Sequence, residues 1–96
     1  MATAAGAIVA KARRRIIDHF MSADAVSPEN AAAFVPNRLV VERQFARFQR
    51  NGVIRTTEDG RYWIDIPSYR QWENKRRLRV AAAAIIAVAA AAALLA

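Results

Sequence analysis

Arg43, Arg47 and Arg50 recur at i, i+4 and i+7, and Val41, Phe45 and Phe48 recur at the same spacing two residues earlier. On a helix these two sets lie on opposite faces, one apolar and one cationic. A row of guanidinium groups opposite a packing face can neutralise phosphates, and Arg is the commonest reader of guanine edges in the major groove. A second cationic set, Lys75, Arg76, Arg77 and Arg79, falls within five residues and runs into VAAAAIIAVAAAAALLA, residues 80–96, which carries no polar side chain. That order suits a helix that enters a membrane, with the cations held at the headgroups.

Catalytic chemistry has no comparable support. The chain has no Cys, one His (His19), no nucleotide-binding glycine loop and no metal-ligand spacing. Thiolate nucleophiles, disulfides and thiolate metal sites are excluded. A lone helical His reads as structural or solvated. The acids Glu58 and Asp59 belong to a turn rather than an acid–base pair. A non-enzyme without cofactor or metal is the expectation. The net charge of +7, from 15 cations against 8 acids, points to a polyanion, either nucleic acid or an anionic lipid surface. An Ala- and Arg-rich chain is also what a GC-rich coding bias produces, so the placement of the charges matters more than their sum.

The elements that must carry these residues follow from pattern. Residues 5–22 form an amphipathic helix, with Val9, Ala12, Ile16 and Phe20 on one face and Ile17 and Met21 beside them. Lys11, Arg14, Arg15 and Asp18 fall on the other side. Cations follow the apolar stretch here, which is the reverse of a secretory signal. Ser27-Pro28-Glu29 reads as a cap, a first-turn proline and a first-turn acid, and predicts a short helix over 28–34 that Pro36 ends. Asn37 then caps a longer helix over 38–51, which Gly52 terminates.

The hairpin VIRTTEDGRYWIDI has two registers. A two-residue loop at Asp59-Gly60 mixes the faces. A three-residue loop, Glu58-Asp59-Gly60, pairs Ile54 with Ile64 and Thr56 with Tyr62, which puts these four on one face. Arg55, Thr57, Arg61, Trp63 and Asp65 take the other. One face must be buried, so the three-residue loop is expected. Trp63 then sits where it could stack on Arg55 or Arg61, contact a partner or meet headgroups. After Pro67, Ser68 and Gln71 form a capping box, and nothing interrupts a helix from there to Ala96.

The order helix, extended piece at Ala25-Val26, short helix, tight turn, longer helix, hairpin resembles the winged helix-turn-helix domain. FARFQRNGVIRTTEDGRYWI, residues 45–64, carries most of the resemblance. The resemblance implies an α+β fold, a winged helix over residues 1–66, with the longer helix in the DNA major groove and the hairpin as wing. It also implies that Arg38, Arg43, Arg47, Arg50, Arg55 and Arg61 face DNA. Glu42 beside the stripe opposes that reading, and winged helices also serve as protein-docking modules.

Residues 67–79 are then a basic juxtamembrane helix and 80–96 the span. Seventeen residues reach about 25 Å, against a hydrocarbon core of roughly 30 Å, and Arg79 can snorkel to close the difference. Eleven of the seventeen are Ala, so Ile85, Ile86, Val80, Val88, Leu94 and Leu95 supply most of the insertion energy, and close-packed Ala faces favour other transmembrane helices. The membrane-interface set is Trp72, Lys75, Arg76, Arg77 and Arg79. The positive-inside rule expects a single-pass protein of the inner (cytoplasmic) membrane, domain inside and C-terminus out. Two functions remain open: a membrane-tethered DNA-binding regulator, or an accessory subunit of a membrane complex that docks through its domain, with Trp63 as a contact.

Overall fold

The computed structural model describes residues 3–95. Helix α1 spans Ala4–Ser22, α2 spans Leu39–Arg50, strands β1 and β2 span Ile54–Thr56 and Tyr62–Ile64, and α3 spans Ile66–Leu95; a single 3-10 turn covers Pro28–Asn30. The architecture is therefore α+β, with three α-helices and a two-stranded antiparallel hairpin.

Each element forms for a local reason. The Thr3 hydroxyl accepts from the Gly6 N–H at 3.0 Å and caps α1. Asp24 ends α1 in the left-handed region (φ 53°), and the Ala25 N–H reaches back to the Phe20 carbonyl at 2.8 Å. Gly52 (φ 73°) does the same for α2, where the Val53 N–H bonds the Phe48 carbonyl at 2.9 Å. The hairpin pairs Ile54 with Ile64, Arg55 with Trp63 and Thr56 with Tyr62, the register that the buried face demands. Gly60 (φ 81°) occupies the left-handed position of the three-residue loop.

The core is one cluster. Ala12, Ile16 and Phe20 of α1 meet Val41, Phe45 and Phe48 of α2, closed by Ala25, Val53, Ile54 and Ile64. The expected face of α2 is thus buried, whereas on α1 Ala12, Ile16 and Phe20 are buried, Val9 and Ile17 are partly buried and Met21 is exposed. Phe20, Phe34, Phe45 and Tyr62 form a chain of ring contacts at 4.9–5.6 Å, with Phe34 reaching both Phe20 and Phe45. His19 is structural: its Nε2 donates to the Ala33 carbonyl at 2.8 Å, and its ring lies edge-on to Phe20 and Phe34.

Three sequence expectations are corrected. The short helix over 28–34 is only the turn Pro28–Asn30, because Ala31 turns to extended backbone (ψ 142°) and Ala32 bridges Tyr62, giving and taking hydrogen bonds of 2.8 and 2.9 Å. A helix that short and ended by Pro36 lies below the length that pays for its own nucleation, and pairing with the hairpin satisfies the same backbone groups. Consequently no pair of helices meets across a tight turn before α2. Asn37 does not cap α2; the capping position is Arg38, and no side chain bonds the first N–H groups there. Ser68 and Gln71 do not form a capping box: α3 starts at Ile66, and the Ser68 hydroxyl donates to the Asp65 carboxylate instead.

Candidate polyanion-binding surface

Helix α2 offers its side chains in two directions. Val41, Phe45 and Phe48 face the core, and Leu39, Arg43 and Arg50, on the opposite face, are exposed. Arg38 and Arg47 are also exposed. Among the described residues none of these four arginines is in an ion pair. Glu42, one residue from Arg43, is the acid of the first turn.

The flanking arginines belong to two further groupings. Arg38 lines a cleft between α1 and the start of α2 together with Lys11, Arg14, Arg15 and Asp18. Arg47 lines a groove with Arg13, Trp72, Arg76, Arg79 and Val80. The stripe expected from spacing is therefore divided, with Arg43 and Arg50 on the outward face and Arg38 and Arg47 each joined by cations from α1.

The hairpin arginines are held. Arg55 pairs with Asp65 at 3.6 Å and lies 5.9 Å over the Trp63 ring. Arg61 donates to Asp59 at 2.8 Å and to the Ala31 carbonyl at 3.3 Å. The Thr57 hydroxyl, and after it Arg61, holds the Asp59 carboxyl below its ordinary range. Of the six arginines assigned to DNA, these two have their charge answered within the fold. Trp63 is partly buried beneath Arg55, one of the placements its position in the strand allowed.

Trp72 lies where α3 leaves the core. Its ring meets Phe48 edge-on at 5.0 Å and stacks with Tyr69 at 6.3 Å. The guanidinium groups of Arg13 and Arg76 stand 5.6 and 5.8 Å from the ring centre. Burial, then repulsion from Arg76 and Arg47, lowers the affinity of Arg13 for its proton. Burial, with Glu73 next, pushes the Tyr69 hydroxyl up. Arg77 is paired with Glu73 at 3.5 Å, and Lys75 is exposed. Sequence reasoning placed Arg13 in no site; only the packing of α1 against α2 and α3 reveals it.

Beyond Glu73, α3 is exposed on every side, including Leu78, Val80, Ile85, Ile86, Val88, Leu94 and Leu95. It is long and apolar enough to cross a membrane. The described residues contain no group of three or more His, Asp or Glu side chains that could hold a metal ion.

Fold and surface together define a small α+β domain of cationic character on a membrane-competent helix. Comparison with known protein families, curated proteins and solved structures gives no match.

Proposed function

We propose that this is a single-span membrane protein whose winged-helix-like N-terminal domain binds duplex DNA through α2 as a tethered regulator. One observation carries the reading: Arg38, Arg43, Arg47 and Arg50 are exposed on or beside α2 without a carboxylate partner among the described residues. Arg43 and Arg50 on the outward face, flanked by Arg38 and Arg47 at its edges, offer cations to a phosphate backbone, and counterion release supplies the affinity. The DNA-binding role rests on α2 alone, since no helix packs ahead of it across a tight turn. Arg55 and Arg61 are set aside as primary contacts because Asp65 and Asp59 already answer their charge.

The anchor gives the domain its place. Lys75, Arg76, Arg77 and Arg79 before the apolar stretch favour retention of the domain on the cytoplasmic side of the inner membrane. Full-length protein in detergent micelles, titrated with duplex DNA at low salt, tests the reading. Retention that weakens steeply with salt supports it; absence of retention at low salt rejects it.

A second reading has its own observation. Leu39 is 60% exposed and shares the outward face of α2 with Arg43 and Arg50. An apolar side chain there gains nothing from phosphates, whereas a protein partner would bury it. On that reading the chain is an accessory subunit of a membrane complex, and purification in mild detergent recovers it with a partner that Leu39→Asp releases.

A further inference from the structure

The groove at the root of the span is built from three helices. Arg13 comes from α1, Arg47 from α2, and Trp72, Arg76, Arg79 and Val80 from α3. Among the described residues no carboxylate lines it. Glu73, the acid nearest in sequence, lies in the adjoining cleft with Arg13 and Arg76, and its closest ion pair is with Arg77 at 3.5 Å. Asp18 also lines that adjoining cleft. Two guanidinium groups converge on one indole, at 5.6 and 5.8 Å.

Cations gathered around a ring repel one another; burial first, and then repulsion from Arg76 and Arg47, lowers the affinity of Arg13 for its proton. An anion held between them would remove the repulsion. Guanidinium groups meet the oxygens of phosphates and carboxylates in bidentate fashion, which suits an oxyanion better than a halide.

Position selects the source of that oxyanion. Val80, the first residue of the apolar stretch, lines the same groove as Arg47 and Arg13. If α3 inserts at that residue, the groove lies at headgroup depth, where Trp rings and snorkelling Arg side chains collect. We propose that Arg13, Arg47, Arg76 and Arg79 bind the phosphate of an anionic phospholipid against the Trp72 ring, fixing the domain against the membrane surface. This rests on the membrane reading of α3 but not on DNA binding: Arg47 is the one arginine the two readings share, Arg43 and Arg50 lie outside the groove, and the groove variants leave Arg47 in place.

The test uses full-length Trp63→Phe protein, so that Trp72 is the only indole, in phosphocholine detergent micelles. Emission is followed as phosphatidylglycerol is added, with phosphatidylcholine and inorganic phosphate as separate arms. The expected result is a saturable change with phosphatidylglycerol alone, weakened roughly 30-fold by Arg13→Gln/Arg76→Gln and unchanged by Arg43→Gln/Arg50→Gln. Circular dichroism shows whether the groove variant keeps the wild-type fold, and the single Arg76→Gln, which leaves the α1 side untouched, repeats the comparison with a smaller loss. Equal response to phosphatidylcholine, or no loss in folded groove variants, overturns the site. Saturation by inorganic phosphate alone overturns the lipid assignment. Protein that stays monodisperse without detergent overturns the membrane reading itself, and the site with it.

Discussion

The hairpin and α2 each present arginines to solvent, yet they use them differently. On the hairpin, Arg55 meets Asp65 and Trp63, and Arg61 meets Asp59 and the Ala31 carbonyl. On α2, Arg43 and Arg50 meet no carboxylate among the described residues. A cation whose charge is answered nearby contributes to the order of its own segment and has less field left for a ligand. A cation left unanswered contributes little to stability and keeps its attraction for an anion. The same side chain in two settings thus does two jobs, and partner geometry rather than residue type separates them.

Several substitutions can break or sharpen that contrast. The largest effect is expected from the inward face of α2. Phe48 is 1% exposed and holds Trp72 against the core, so Phe48→Ala should destabilise the domain by about 3–5 kcal/mol. For a domain this small that approaches the whole folding free energy. Urea denaturation in detergent, followed by Trp fluorescence, measures it; retention of wild-type stability would mean that the aromatic cluster is not the core.

The outward face should behave in the opposite way. Arg43→Ala/Arg50→Ala should leave stability within about 0.5 kcal/mol of wild type, since neither side chain has an ion pair among the described residues to lose. A loss of more than twice that would show that these side chains serve the fold, and the contrast would collapse. Arg61→Ala should lower stability by about 1 kcal/mol through its bond to the Ala31 carbonyl, which ties the hairpin to the extended segment. Thermal denaturation of the two variants side by side is the check, with Arg61→Ala the less stable.

Acid gives the smallest effect. The Asp59 carboxyl is held below its ordinary range by Thr57 and Arg61. A depressed carboxyl stabilises the fold above its unfolded value and loses that contribution as pH falls through the folded value. Melting temperature should therefore decline slightly below the ordinary carboxylate range, and Asp59→Asn should flatten part of that decline. An unchanged acid limb in Asp59→Asn would place the decline on other carboxylates.

Local signals were enough for much of this. The helical period of Val41, Phe45 and Phe48 located the core face of α2, and the two-sided hairpin fixed its register once one face had to be buried. What the pattern could not carry is non-local. Residues 31–34 have helix-compatible types, but Ala32 finds Tyr62 across the fold, and that pairing replaces the expected helix. Ser68 has a capping residue's chemistry, yet Asp65, placed by the end of β2, takes its hydroxyl. Arg13 sits 59 residues before Trp72 in sequence, and no spacing rule connects them; the direction in which α3 leaves the core does. Of the surface itself, Arg43 and Arg50 were legible from period alone, whereas the answered charges of Arg55 and Arg61 depend on where Asp65 and Asp59 come to rest.

The most direct measurement is the salt dependence of duplex DNA binding by the full-length protein in detergent, compared with two paired variants. The slope of log affinity against log salt should fall by about two in Arg43→Ala/Arg50→Ala, and by much less in Arg55→Ala/Arg61→Ala. Equal slopes in both variants, or binding that ignores salt, would contradict the claim that the unanswered arginines of α2 form the polyanion-binding surface.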